Sequence, residues 1–247
     1  MNTEEILNQN KQSWEQSAEH FFGLEPLPKM SPFDNGEYFR LFGDIKDKTF
    51  LELACGSGHS LKYILDNGAA KAYGLDFSET QIQFAKEVNQ DYITEGKLEL
   101  LHQTMEEQFD LENIDIVYSI YGFGWTQQPE QVLKNIYEVL KPGGLFIWSW
   151  DHPLCTLFKW EDNELKTNQP EPGTNLLKLK MFGTDVYQQV LSIDEWKSLI
   201  EQSDFKIKEF IEISPTEFPE NYNNHNDYYA KEKLKQVPAS MIWVLQK

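Results

Sequence analysis

The stretches TFLELACGSG, Thr49 to Gly58, and AYGLDFSETQ, Ala72 to Gln81, decide the fold. Thr49 to Ala54 is a short, mostly apolar run that ends in Gly56 and Gly58, which reads as a strand and then a tight turn. Leu61, Ile64 and Leu65 supply the apolar face of the helix that follows. Lys71 to Leu75 is a second strand ending at Asp76, and Ser78 to Gln81 has capping-box spacing for a helix with Ile82, Ala85 and Val88 inward. Glycines in the first turn let the backbone approach a ligand and take positive φ. Ligands of open α/β sheets sit at the carboxyl ends of strands, where strand order reverses. The turn is therefore a candidate nucleotide site. Asp76, about twenty residues after its first glycine, is placed to accept both hydroxyls of a ribose. A plain strand–helix turn and a helix-start acid would leave the same two traces.

Outward from this stretch the alternation continues. Lys97 to Leu101 reads as a third strand and Ile114 to Ile120 as a fourth, strongly β in composition. Pro129 suits the first turn of a helix that buries Val132, Leu133, Ile136, Tyr137 and Leu140. Lys141-Pro-Gly-Gly144 is expected to stop that helix before a fifth strand, Leu145 to Trp150. Strands alternating with amphipathic helices predict an α/β fold, a parallel sheet covered on both faces. Toward the N-terminus, Trp14, Ala18, Phe21 and Phe22 recur at helical spacing, so residues 1–45 are expected to form a helical cap on a ligand-binding half at 46–150. After Trp150 the pattern breaks. Residues 151–191 mix Pro, Gly and Asn with Phe158, Trp160, Phe182 and Tyr187. That is too long for a structureless loop, and a lid over the substrate is expected. Ser192 to Glu195 again has capping-box spacing and opens a helix with Trp196, Leu199 and Ile200 inward. Phe205 to Ile213 and Ala239 to Leu245 are expected as the sixth and seventh strands, with a polar, tyrosine-rich segment, Glu217 to Gln236, between them. Residues 192–247 would thus complete the sheet of a single domain, 1–247.

The charge balance restricts the partners. Forty acids stand against 22 Lys and Arg, a formal net charge of −18. Nucleic-acid binders need a basic surface to displace counterions from phosphates. The nearest basic cluster, Lys231-Glu-Lys-Leu-Lys235, reads as a solvated helix face. Neither nucleic acid nor a membrane surface is expected as a partner. No apolar run is long enough to span a bilayer. The polar, acidic start lacks the pattern of a secretory signal, and two cysteines, Cys55 and Cys155, indicate no disulfide framework. A cytoplasmic protein is expected.

A dinucleotide dehydrogenase and a methyltransferase both fit the two deciding stretches. Three features separate them. Leu61 stands where the dehydrogenase fingerprint wants a third glycine. Glu52 would repel a nearby pyrophosphate, whereas it suits the α-ammonium group of S-adenosylmethionine. Finally, LKPGGLFIWS lies at Leu140 to Ser149. With LELACGSG, GLDFS at Gly74 to Ser78 and IDIVYSIYG at Ile114 to Gly122, it makes residues 49 to 150 resemble the class I S-adenosylmethionine-dependent methyltransferases, in their type 11-like small-molecule branch. SWEQSAE, Ser13 to Glu19, and Trp150-Asp-His-Pro153 are similar to an uncharacterised bacterial part of that branch. The resemblance implies a doubly wound, seven-stranded, mostly parallel Rossmann-like sheet. It implies S-adenosyl-L-methionine as cofactor, with S-adenosyl-L-homocysteine as product. By the same resemblance Glu52, Ala54, Gly56 and Gly58 would line the methionine part, Asp76 would hold the ribose, and Phe77 would lie beside the adenine. Gln103, Thr104 and Met105 would wrap the adenine, although the acid common in the family there is missing from His102-Gln-Thr-Met105. Ser119, Ile120 and Tyr121 would face the sulfonium. Gln81 would reach the site or serve only its helix cap, and Trp14 would lie over the cofactor or only pack.

Methyl transfer from a sulfonium is an in-line displacement, so the protein has mainly to align the acceptor and exclude water. No fixed triad is expected. A hydroxyl or protonated amine acceptor gains from a general base. His152, with Asp151 beside it, is the candidate; as part of an Asp-His-Pro turn it could equally bind substrate or pack. Tyr121, with Phe123 and Trp125, is placed to stabilise the sulfonium and shape an apolar pocket. Trp148 and Trp150 read equally as core. An Asp/Asn-Pro-Pro-aromatic motif, an acid cluster near strands 4 and 5 and a zinc-type Cys/His spacing are all missing. A small-molecule acceptor and no metal are therefore expected. The alternative is a cofactor-binding protein without turnover, or one that methylates a partner protein.

Overall fold

The computed structural model describes residues 1–22, 27–181, 183–215, 218 and 227–247. Helix α1 is Thr3–Phe21, closed at its start by a capping box between Asn2 and Glu5. After a short 3-10 turn at Glu37–Phe42, the chain runs β1 (Thr49–Leu53), α2 (His59–Asp66), β2 (Lys71–Asp76), α3 (Glu79–Val88), α4 (Gln90–Thr94) and β3 (Leu98–His102). It continues with β4 (Ile114–Ile120), α5 (Pro129–Val139), β5 (Leu140–Asp151) and α6 (Pro153–Leu157). Two hairpins follow, β6 (Phe158–Glu161) with β7 (Glu164–Thr167), and β8 (Leu176–Met181) with β9 (Thr184–Gln189). Last come α7 (Ile193–Gln202), β10 (Lys206–Ile213), α8 (Lys231–Leu234) and β11 (Ser240–Gln246).

Seven strands form one sheet in the order β10-β11-β5-β4-β1-β2-β3. The strands β1 to β5 pair in parallel, and β11 is antiparallel to both its neighbours. Because β1 lies between β2 and β4, the winding reverses there and opens a crevice at the strands' carboxyl ends. Successive strand residues face opposite sides. Leu51, Val117, Phe146 and Trp148 pack with α5 and α7 through Val132, Ile136, Trp196 and Ile200. Phe50, Ile116, Tyr118 and Ile147 pack on the other face with Leu61, Ile64 and Ile82 of α2 and α3. Burial on both faces explains why these strands are apolar runs rather than alternating ones.

Two sequence expectations are adjusted. Lys141 to Gly144 does not precede the fifth strand but is its first part, with a register irregularity opposite Asp115. The reason is local: Asp115 accepts from the Thr49 N–H and the Lys141 ammonium at 2.9 and 2.8 Å, drawing the segment against β4. A Cβ on Gly144 would lie only 2.9 Å from the Lys141 carbonyl and 3.1 Å from that of Asp115. Residues 151–191 are built mainly as the two hairpins. The second is bound to α1 through its backbone: Asn10 pairs with both N–H and C=O of Tyr187 at 2.8 Å, while Gln9 and Ser13 donate to the Asp185 carbonyl. Phe182 and most of the segment 217–226 lie outside the described residues. Among the described residues no helix is long and apolar enough to cross a membrane.

Candidate active site

The turn after β1 is left-handed at three positions, with φ of 56° at Ala54, 53° at Gly56 and 70° at Gly58. Gly58 is also pinned by packing. A Cβ there would meet the Asn89 amide nitrogen at 2.8 Å, and that amide donates to the Gly58 carbonyl at 3.0 Å. Asp76 closes the turn from β2. One carboxylate oxygen accepts the Gly56 N–H and the other the Ser78 N–H, both at 2.9 Å. Burial raises the Asp76 pKa to about 6 despite those two donors. Glu52 is buried in β1, where its carboxylate accepts hydroxyls from Ser60 and Tyr118. Desolvation pushes its pKa up to about 8, since two neutral hydroxyls replace water poorly.

Two cavities open at this turn. One, of about 210 Å³, is lined by Leu7, Asn10, Trp14 and Phe21 of α1, by Ala54, Gly56, Leu75, Asp76, Phe77 and Gln81, by Gln103 to Glu106, and by Ile120, Tyr121, Gly122, Trp125 and Thr126. The other, of about 530 Å³, is lined by Glu52, Ala54 to Ser60, Leu27 to Lys29, Ser31 and Pro32. Phe21, Ala54, Gly56, Ile120 and Tyr121 wall both. Trp14, Glu52, Ala54, Gly56, Gly58, Asp76, Phe77, Gln81, Gln103, Thr104, Met105, Ile120 and Tyr121 are therefore brought to one crevice. Ser78 caps the Gln81 N–H at 3.1 Å, but the reciprocal half of the expected capping box is not made. The Gln81 side chain turns to the cavity instead, and its buried Oε1 has no partner in the structure. A buried amide oxygen without a donor is what a ligand amine or hydroxyl would satisfy.

Ser119 is placed elsewhere than expected. It lines neither cavity; its hydroxyl donates to the Leu53 carbonyl and accepts the Phe123 N–H, both at 2.9 Å. It thereby sets the bend after β4, where Tyr121 takes a φ of 53°. Gly122 is needed at that bend because a Cβ would come within 2.5 Å of the Ala54 Cβ. Phe123 turns inward among Phe146, Trp148 and Trp196, so it belongs to the core, as does Trp148. Trp125 stays at the cavity. It meets Trp14 of α1 edge-on at 5.6 Å and Trp150 of β5 at 5.2 Å. His152 lines neither cavity. It caps α6 by accepting the Leu154 N–H on Nδ1, and its Nε2 lies 2.9 Å from Glu212. Burial lowers its pKa, with Glu212 opposing. Nδ1 is thus engaged by the α6 cap, and Nε2 faces Glu212 without hydrogen-bond geometry, both away from the crevice. Asp151 is buried and accepts the Tyr229 and Tyr228 hydroxyls at 2.6 and 2.7 Å.

Several residues of the site carry no local sequence signal. Asn10, Leu7 and Phe21 reach it only because α1 docks across the crevice. Glu15 of α1 accepts the N–H groups of Glu79 and Thr80 at 2.6 and 3.3 Å, closing the start of α3 from outside. Among the described residues no group of three or more His, Cys, Asp or Glu side chains is arranged to hold a metal ion.

Residues 51–148 match the family model of a methyltransferase domain. An uncharacterized protein of Haemophilus influenzae is 29% identical over 161 residues, which are 60% of this chain and 63% of that protein. A demethylmenaquinone methyltransferase of Lactococcus lactis is 31% identical over 120 residues, 47% of this chain and 48% of its own. The matches thus span less than two thirds of these relatives. A tRNA N(3)-methylcytidine methyltransferase of Schizosaccharomyces pombe is also similar, 27% identical over 113 residues, 42% of this chain and 37% of its own. In structure, an S-adenosylmethionine-dependent methyltransferase of Mesorhizobium loti superimposes with a TM-score of 0.68 at 17% identity, covering 85% of this chain and 95% of that one. Residues 51–148 thus resemble a methyltransferase domain in sequence, and the chain has the class I Rossmann-like fold seen in S-adenosylmethionine-dependent methyltransferases.

Proposed function

We propose that the protein is an S-adenosylmethionine-dependent methyltransferase acting on a small molecule with a hydroxyl or amine acceptor, in the cytoplasm and without a metal. The observation that carries this reading is the crevice at the winding reversal, where Asp76, the left-handed turn at Ala54 to Gly58 and Glu52 converge under α1. Asp76 is the ribose partner and Glu52 the partner of the α-ammonium group. The unpartnered Gln81 Oε1 supports an adenosyl ligand in the smaller cavity, against Phe77 and Gln103 to Met105. When bound, the cofactor supplies an electrophilic methyl on a sulfonium. The chain's own residues hold it, align an acceptor beside Tyr121, and exclude water with α1 and the β8–β9 hairpin.

A small molecule is favoured over a polymer by the roof. Leu7, Asn10, Trp14 and Phe21 cover the crevice, and the net charge of −18 opposes nucleic-acid phosphates. Calorimetry with S-adenosylhomocysteine tests the donor half; folded protein that binds none would overturn the reading. Transfer of labelled methyl into a small-molecule extract tests the acceptor half, and labelling of protein or tRNA instead would replace it.

A further inference from the structure

The Tyr121 ring walls both cavities, but its hydroxyl is turned to Ser240 at the start of β11, 2.5 Å away. Ser240 Oγ is also 2.9 Å from Ser31 Oγ, and Ser31 lines the larger cavity. In the other direction Tyr229 and Asp151 lie beside the Tyr121 hydroxyl, which is turned to Ser240, and Tyr229 donates to Asp151 at 2.6 Å. The result is a line of hydroxyls between the crevice and one buried carboxylate at the end of β5. Ser31, Ser240 and Asp151 are each at least nine-tenths buried. A hydroxyl both donates and accepts, so such a line can pass a proton by shifting each hydrogen one oxygen along. The Ser31–Ser240 and Tyr121–Ser240 contacts can run in either donor direction.

We propose that these hydroxyls form a proton path from the crevice at Ser31 to the Asp151 carboxylate, and that the methyl acceptor is a protic hydroxyl or amine that discharges its proton along it. This rests on the methyltransferase reading. In the step, a lone pair of the acceptor atom forms the new bond to the methyl carbon while the sulfur–methyl bond breaks and leaves its electrons on sulfur. The acceptor's proton passes to Ser31 Oγ. With the Tyr121 hydroxyl hydrogen turned from Ser240 to Tyr229, one hydrogen moves along each of Ser240, Tyr121 and Tyr229, and Asp151 ends as a neutral acid. The charge balances: the sulfonium and the carboxylate are both neutralised.

The surroundings suit Asp151 to this duty. The Tyr121, Tyr228 and Tyr229 hydroxyls face it, Lys233 of α8 lies near it, and Cys155 of α6 is a close neutral thiol. Lys233 is itself engaged by the Cys155 carbonyl at 2.7 Å. Burial raises the Asp151 pKa to about 6, so the group is ionised yet ready to take a proton near neutrality. His152 beside it is held by Leu154 and Glu212.

The test compares wild type with D151N, Y229F and S240A, using tritiated-methyl S-adenosylmethionine and a bacterial small-molecule extract from pH 5 to 9. Wild-type transfer is expected to rise through about pH 6. Each variant is expected to lose on the order of 100-fold in transfer while binding S-adenosylhomocysteine within about twofold of wild type. Because the groups act in series, the D151N/S240A double variant should lose no more than either single one. Independently of turnover, an infrared band of a protonated carboxyl should titrate in wild type, vanish in D151N and shift in Y229F. S240A or Y229F at the wild-type rate with an unchanged pH profile would overturn the path even if D151N fails to fold. So would a wild type that binds S-adenosylhomocysteine but methylates nothing in the extract. Loss of S-adenosylhomocysteine binding by wild type would instead bring down the methyltransferase reading and the path with it.

Discussion

Asp76 accepts the Gly56 and Ser78 N–H groups through different oxygens, so it ties the glycine turn to the start of α3 and still faces the cavity. Substituting it would remove the proposed ribose contact and loosen the turn together. Asp76→Ala is expected to weaken S-adenosylhomocysteine binding by about 100-fold, as hydrogen bonds to a charged group are worth roughly 1.5–3 kcal/mol; calorimetry reads it. Glu52 gives a sharper test. With a pKa of about 8 it is mostly protonated at neutral pH, and an arriving ammonium group would favour its ionised form. Binding at pH 7 should therefore release a proton, seen as a binding enthalpy that varies with the buffer's ionisation enthalpy. Glu52→Gln should remove that dependence. The placement of these acids at the crevice was readable because each lies at or next to the carboxyl end of a strand with a strong local pattern. Ser119 and His152 were not. What they bind, the Leu53 carbonyl and Glu212, is brought to them by sheet pairing and chain packing that no spacing records.

Helix α1 is attached to two elements far from it in sequence. Asn10, Ser13 and Gln9 fix it to β9, and Glu15 closes the start of α3. The N–H that a full capping box would have satisfied, that of Ser78, is taken by Asp76, and Glu15 accepts two further orphan N–H groups of the same helix start, those of Glu79 and Thr80. Glu15→Ala is expected to cost roughly 1 kcal/mol, as loss of a helix cap does, and to speed release of S-adenosylhomocysteine in stopped-flow measurements. Helical spacing in Trp14, Ala18 and Phe21 announced the helix. The partner it would lie on was invisible, since among the described residues β8 and β9 form a two-stranded sheet of their own, and β9 meets α1 through side-chain contacts that no spacing records. The hairpins at 151–191 show the same limit: their length ruled out a plain loop, but two-stranded ribbons have too little buried face to show a clear alternation.

At the scale of the molecule, the alternation of strands and helices from Thr49 to Trp150 announced the five parallel strands of the sheet, and the reversal at β1 opens the crevice at their carboxyl ends. Charge then governs its stability. Glu52, Asp76 and Asp151 all have pKa values raised by burial, to about 8, 6 and 6. A raised carboxyl pKa means the native state holds the proton more tightly than the unfolded chain. The stability it contributes is present below the ordinary carboxyl range and is lost as pH rises through the native value. The ligand-free protein should thus melt lower at pH 8.5 than at pH 5. Each tenfold change in proton affinity is about 1.4 kcal/mol, and a chain of this size shifts by roughly 2–4 °C per kcal/mol. A fall of several degrees is expected in calorimetric scans, reduced in Glu52→Gln. The indoles of Trp14, Trp125 and Trp150 come from α1, the bend after β4 and β5, and touch in sequence, edge against face. Lifting α1 separates the first from the second and leaves the second on the third. The protein therefore carries its own optical gauge of the roof: excitation at the tryptophan edge should report entry and release of any ligand, without a label.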